Sequence, residues 1–250
     1  MSRTYDFIVN LAAAQIPPPA KLLDFGCGAG QVVAKALAAG YDAHGTDLFN
    51  EGWKINYAAA AAALGDRLHP MPSPHRLPFE DASFDIVISN QVFEHIAHKM
   101  PVVAELARII RPGGRLVAIF PTQEVLVEPH LKAPWVHRLK NAGAAQKLIL
   151  MLSHRLGMSP PTPLSRGEWV AHAIHALDRD IFYVPNRDVP KIFGPAFTLI
   201  RQAEPDFLRD RLSVSPLRPV AKIFNHRLAS SPLRALCLRL ANGVYIFSRG

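Results

Sequence analysis

Two features of the sequence have residue types and spacing suited to holding a ligand. The run Asp24-Phe25-Gly26-Cys27-Gly28-Ala29-Gly30 carries glycine at every second position from 26 to 30. Where side chains are missing, a ligand can approach bare main chain and the N-terminus of a following helix. Nucleotide cofactors and adenosyl groups both use such a loop. The dinucleotide fingerprint asks for its third glycine five residues after the first. That position is Gln31, and Gly30 falls one residue early, which disfavours a nicotinamide oxidoreductase. The second feature is Asp47, whose carboxylate at the tip of a short apolar stretch suits a two-oxygen contact with both hydroxyls of a ribose.

The elements that must position these residues alternate between strand and helix. Leu22-Leu23-Asp24-Phe25 reads as a short buried strand running into the glycine loop. A helix follows with Val32, Val33, Ala36 and Leu37 on one face, and Gly40 stops it. Tyr41 to Asp47 is the next strand, Asn50 is placed to cap a helix through the alanines, and Gly65 ends that helix. Phe84 to Asn90 is the clearest strand. A helix near Pro101 carries Val102, Val103, Leu106, Ile109 and Ile110, and Pro112-Gly113-Gly114 turns into the strand Leu116 to Phe120. Strand, helix, strand in this order predicts a parallel α/β sheet. Thirteen prolines between Pro121 and Pro232 favour short elements in the second half, with amphipathic pieces at 144–156, 168–177 and 219–241, a sixth strand near 196–201 and a last strand at 243–249.

Five blocks occur together in a familiar order. They are Leu22 to Gly30; His44-Gly45-Thr46-Asp47; Leu77-Pro78-Phe79 through Val87; Phe93-Glu94-His95-Ile96; and Arg111-Pro112-Gly113-Gly114-Arg115-Leu116. In these blocks the chain resembles the class I S-adenosylmethionine-dependent methyltransferases, and most closely the broad group acting on small molecules and lipids. The resemblance spans about residues 20–121. It implies a Rossmann-like fold, with a mostly parallel seven-stranded sheet, helices on both faces and helical insertions in the C-terminal half. The whole chain would be one domain, 1–250, with a cofactor-binding core at 20–121 and substrate-side insertions at 122–186 and 208–242. It further implies S-adenosylmethionine as cofactor. Gly26, Cys27 and Gly28 would shape the loop around its methionine part, Asp24 would stand near its amino group and Asp47 would hold its ribose. Leu48 and Phe49 would pack on the adenine, and Asn90 and Gln91 would face the sulfonium. The family often has an aspartate on the adenine amine where this chain has Ser73, whose hydroxyl accepts one hydrogen bond without charge assistance.

Methyl transfer is an in-line substitution at an activated sulfonium, so the protein chiefly aligns a nucleophile and removes its proton. His95, just past the fourth strand, is the expected base, ahead of His98 and His130. Glu128, His130 and His137 have no recognised ligand spacing, so no metal is expected. The fourth strand ends Asn90-Gln91-Val92-Phe93 rather than in the Pro-Pro-aromatic pattern of base-amine enzymes. Neither Cys27 nor Cys237 sits in the Pro-Cys setting of cytosine-carbon enzymes. A nucleic-acid acceptor is disfavoured on both counts.

Composition sets the outer limits. The 250 residues are 49% hydrophobic and 19% charged, which is globular and not disordered. No run of apolar residues is long enough for a bilayer span, and the first residues lack a signal-peptide pattern. Two cysteines fit a reducing compartment, so a cytoplasmic location is expected. Residues 1–120 hold 10 basic and 11 acidic side chains, whereas residues 121–250 hold 18 and 9. The basic half, with Trp135, Trp169, Phe182 and Tyr183, would form an apolar, positively edged mouth for an anionic or lipid-linked acceptor. The stretch 218–240 has a basic and an apolar side, and would either pack on the sheet or touch the inner membrane face. Two rival functions remain: a catalytically silent scaffold that binds an anionic partner, and an RNA methyltransferase.

Overall fold

A computed structural model describes residues 3–49, 57–224 and 234–250. Helix α1 (Arg3–Ala13) leads into β1 (Lys21–Phe25), α2 (Gln31–Ala38), β2 (Asp42–Asp47), α3 (Tyr57–Leu64), β3 (Leu68–Pro70), β4 (Phe84–Asn90), α4 (Lys99–Ile109) and β5 (Ile110–Phe120). The second half adds α5 (Ala144–Arg155), α6 (Arg166–Arg179), α7 (Val189–Phe193), β6 (Phe197–Gln202), α8 (Glu204–Leu212), α9 (Arg218–Ala221), α10 (Arg234–Leu240) and β7 (Gly243–Arg249).

The seven strands form one sheet in the order β3-β2-β1-β4-β5-β7-β6. β1 pairs in parallel with β2 and β4, and β2 with β3 and β4 with β5 likewise; β7 alone runs antiparallel, between β5 and β6. The mostly parallel sheet covered on both faces is therefore as expected. The reason is visible in the strands themselves, which are apolar on both sides. Along β5, Leu116, Ala118 and Phe120 enter one core while Val117 and Ile119 enter the other. Along β7, Tyr245 and Phe247 face the first, and Val244 and Ile246 the second. One core is closed by α4 and α7, where Phe193 stacks on Phe247 with centroids 4.5 Å apart. The other is closed by α1, α2 and α8.

A third, smaller cluster lies outside the sheet and unites Val136, Leu150, Trp169, Ala173 and Leu177, holding α5 to α6. Ser165 caps α6 reciprocally with Glu168. Trp169 is 3% exposed within this cluster, which corrects its expected place at a pocket mouth. Helical periodicity set it on the buried face of α6.

The stretch 219–241 is not one amphipathic helix. The short α9, with Pro219 in its first turn, ends at Ala221, α10 is described from Arg234, and residues 225–233, including Pro232, lie outside the described residues. Asn50 and its cap also lie outside them. Part of the basic excess is matched internally: Arg234 pairs with fully buried Glu204 at 3.0 Å, and Arg201 and Arg209 both pair with Asp206. Among the described residues no helix is long and apolar enough to cross a membrane.

Candidate active site

The strand order reverses between β1 and β4, and a crevice opens where the carboxyl ends of β1, β2 and β4 meet, as expected for an open α/β sheet. A cavity of about 450 Å³ occupies it, lined by Phe25, Gly26, Gly28, Asp47, Leu48, Met71, Pro74, His75, Gln91, Val92, His95, Ile96, Ala97, His98 and His130. That volume suits a small-molecule ligand (pockets of about 300–1,000 Å³). Behind the glycine loop lies a smaller polar cavity of about 150 Å³, lined by Asp24, Gly26, Cys27, Gly28, Asn90 and neighbours including Tyr5 and Gln31. Gly26 and Gly28 border both.

The loop is built by strand-end hydrogen bonding. The Gly26 and Cys27 N–H groups donate to the Thr46 carbonyl at 2.9 and 3.1 Å, bending the chain off β1 toward β2. Gly26 has φ +76°, and a Cβ there would lie 2.3 Å from Val92 Cγ2, so no other residue fits without displacing Val92. The Gly28 N–H donates to Asp47 Oδ2 at 2.8 Å, which fixes the Asp47 carboxylate at the cavity edge. The Phe49 N–H donates to Asp47 Oδ1 at 3.4 Å. Cys27 is buried and its thiol is pushed upward by burial, with further push from Asp24 and Asp47; it fills space.

Asp24 is 2% exposed, and its carboxyl is pushed up to about 8 by burial first and by the charge of Asp47 second. Across the small cavity, Asn90 Oδ1 is buried without a hydrogen-bond partner among the described residues. Gln91 takes the left-handed conformation at φ +61° while its N–H donates to the Ile119 carbonyl at 2.8 Å. A non-glycine residue held there is the kind of local strain that collects at binding sites.

Leu48 lines the cavity and is exposed, whereas Phe49, at φ +49°, packs against the core cluster that contains α1 and α2 residues. Phe49 is therefore placed against that core and is not among the residues that line this cavity. Ser73 is likewise absent from the cavity lining. It forms an isolated bridge with Arg76, and the turn that results presents Pro74 and His75 to the cavity instead. Met71, Pro74 and His75 were not foreseen, since nothing in their types marks them as ligand-facing.

On the other side of the cavity stand His95, His98 and His130. His95 sits in a 3₁₀ turn, Phe93–His95, and donates its Nδ1–H to the Asp180 carbonyl at 2.8 Å. A carbonyl only accepts, so the ring's basic nitrogen is Nε2. Burial holds His95 below the usual histidine range, partly opposed by that hydrogen bond. His130 lies with its ring centroid 5.1 Å from that of His95. Its Nδ1 lies 2.8 Å from Glu128 Oε1, which also accepts from the Tyr183 hydroxyl at 2.5 Å, while Glu128 Oε2 accepts from the Leu131 N–H. Burial pulls His130 down, but Glu128 more than offsets it and the net direction is upward. His137 stands apart, its Nε2 on the Gln123 carbonyl and its ring against Tyr183, so the sequence set Glu128, His130 and His137 does not converge.

Residues 23–118 match the methyltransferase domain family. The chain is 33% identical over 100 residues to the 27-O-demethylrifamycin SV methyltransferase of Amycolatopsis mediterranei, covering 38% of this chain and 36% of that protein. It is 32% identical over 127 residues to the chloroplastic tocopherol O-methyltransferase of Arabidopsis thaliana, covering 49% of this chain and 32% of that one. The match thus spans about a third of the length of these curated relatives. An S-adenosylmethionine-dependent methyltransferase from Mesorhizobium loti superposes with TM-score 0.59 at 14% identity, over 99% of this chain and 98% of that one. Residues 23–118 thus match a methyltransferase domain, and the chain as a whole has the Rossmann-like fold of that Mesorhizobium loti protein.

Proposed function

We propose that the chain transfers a methyl group from S-adenosylmethionine to a small-molecule or lipid-linked acceptor. The observation that carries this reading is the pair of carboxylates on either side of the glycine loop, one on each of the two cavities that Gly26 and Gly28 border. Asp47 is pinned by the Gly28 N–H at the tip of β2, and buried Asp24 lies behind the glycine loop. The residues present suit the donor. Each Asp47 oxygen keeps lone pairs beyond the N–H it accepts, enough for two ribose hydroxyls. Leu48, Met71 and Pro74 offer an apolar wall for a base. Asp24 and the Asn90 Oδ1 supply acceptors for an ammonium group. When bound, the donor supplies a methyl group on positively charged sulfur.

The remaining work falls to the chain. The cavity walls align the acceptor with the end of β4, where Gln91 and His95 line the cavity. His95, neutral with its Nε2 basic, takes the acceptor's proton. The names of the rifamycin and tocopherol relatives support an oxygen acceptor on a small or lipid-like molecule. The net positive charge of residues 121–250 supports an anionic one. The test is incubation with methyl-labelled S-adenosylmethionine and a cell extract divided into lipid, RNA and small-molecule pools. Label in the small-molecule or lipid pool, falling sharply in His95→Ala while donor affinity holds, is the expected result. Label confined to RNA, or none in any pool, would overturn the reading.

A further inference from the structure

The turn carrying Glu94 and His95 meets the loop carrying His130, and together they assemble a set of donors of which the proposed methyl transfer uses only His95. Glu94 has no exposed surface, and neither of its carboxylate oxygens has a hydrogen-bond partner among the described residues. A buried carboxylate in that state is costly unless a cation or proton compensates it. Lys99, a buried cation at the start of the following helix, tempers the Glu94 charge through space but makes no hydrogen bond to it, since its ammonium donates to the Ile96 and Phe182 carbonyls at 2.6 and 2.8 Å. One donor atom each from Glu94, His95 and His130 lie within 4.8 Å of one another.

Both imidazoles are also anchored from behind. His95 is held through Nδ1 by the Asp180 carbonyl, and His130 through Nδ1 by Glu128, itself fixed by Tyr183. A carbonyl or carboxylate behind the ring is how ligand histidines are oriented and their other nitrogen made a better donor. We infer that Glu94, His95 and His130 bind a divalent transition-metal ion, with Glu128, Tyr183 and the Asp180 carbonyl as the supporting layer. Two imidazoles and one carboxylate suit Zn²⁺ or Co²⁺ rather than Mg²⁺ or Ca²⁺, which favour oxygen throughout. Because His95 and His130 both line the main cavity, the ion's remaining positions open toward the acceptor. This inference rests on the three side chains and not on the methyl-transfer reading. It alters one role: in the loaded protein His95 Nε2 is a ligand, and the ion takes over the polarising of the acceptor.

The experiment uses the full chain without added tag histidines, stripped with a chelator and desalted. Zn²⁺ is titrated by calorimetry and Co²⁺ by visible absorption. The expected result is one ion per chain with the intense bands of low-coordinate Co²⁺. Since loss of a mere supporting residue weakens metal sites about 10–100-fold, Glu94→Gln and His130→Ala should each weaken binding at least that much. His69→Ala is the control, because His44 and His69 lie 3.0 Å apart and are a competing pair of imidazoles. Stoichiometric uptake kept in His69→Ala and lost in His130→Ala supports the site. No uptake by the wild type, equal uptake by His130→Ala, or uptake lost only in His69→Ala overturns it. Should Glu94→Gln fail to fold by circular dichroism, His130→Ala and the Co²⁺ spectrum still decide. Donor binding by the stripped protein is measured separately. Donor binding without ion uptake sinks this inference alone, and ion uptake without donor binding sinks the proposed function alone.

Discussion

Asp24→Asn tests the polar end of the crevice most sharply. The Asp24 carboxyl is pushed up to about 8, chiefly by burial, so near pH 7 the protonated form predominates in the free protein. An ammonium group beside it favours the ionised form, so donor binding at pH 7 should release close to one proton. Affinity should then rise about tenfold per pH unit from pH 5 to 7 and level near 8. Above that it should turn down as the ligand's own amino group (α-amino values lie at about 7.7–8.0) loses its proton. In Asp24→Asn the acid-side slope should vanish. At pH 8 the loss of one charge-assisted hydrogen bond, about 1.5–3 kcal/mol, should weaken binding roughly 10- to 150-fold. Calorimetry in phosphate and in Tris gives the released protons directly. Stability follows the same linkage. A value raised above the ordinary aspartate range means the folded chain binds the extra proton between about pH 4 and 8. The contribution is therefore full below pH 4 and is lost as pH rises through 8, on the order of 5 kcal/mol in all. Wild type should melt lower at pH 8 than at pH 6, and Asp24→Asn should narrow that difference. No proton release at pH 7, with identical pH profiles for the two proteins, would refute the reasoning.

Three further outcomes are expected. Asp47→Ala removes the acceptor of the Gly28 N–H and both proposed ribose contacts, so donor affinity by calorimetry should fall at least about 100-fold while the far-ultraviolet spectrum is kept; unchanged affinity removes Asp47 from the site. Gly26→Ala forces a left-handed alanine into Val92, costing about 2–4 kcal/mol in denaturant unfolding, and adding Val92→Ala should recover the part due to the 2.3 Å clash; no recovery would place the whole cost in the backbone. Phe193→Ala empties a fully buried ring that contacts Phe93, Phe120 and Phe247, and should cost about 3–5 kcal/mol by the same assay.

The sheet and the glycine loop were readable because their signals are local. Leu22 to Phe25, Phe84 to Asn90 and Leu116 to Phe120 are short apolar runs bounded by glycine, proline or acid, and each became a strand of the sheet. What escaped lacked a local signature. Leu68-His69-Pro70 is short and half polar, yet it pairs with β2, and α1 was not assigned at all. The 219–241 stretch that an amphipathic pattern joined holds, among the described residues, a helix that ends at Ala221 and another described from Arg234. Within the site, Asp24, Gly26, Gly28, Asp47, Leu48 and Gln91 fall where the loop and strand ends put them. Phe49 departs because a positive φ turns it toward the helical layer, and Ser73 because its bridge to Arg76 swings Pro74 and His75 inward. The histidine side was the least legible. His130, Glu128 and Tyr183 join through a contact 55 residues apart in the chain, and Glu94 is adjacent to His95 in a turn whose buried carboxylate no periodicity announces.

The central claim is that the crevice between β1, β2 and β4 holds an adenosyl ligand, and co-crystallisation with S-adenosylhomocysteine tests it most directly. The expected density runs from Asp24 past Gly26 and Gly28, with both ribose hydroxyls on the Asp47 carboxylate and the sulfur turned toward Gln91 and His95. A crevice closed by the chain's own side groups at saturating ligand, or ligand seated elsewhere, would contradict it.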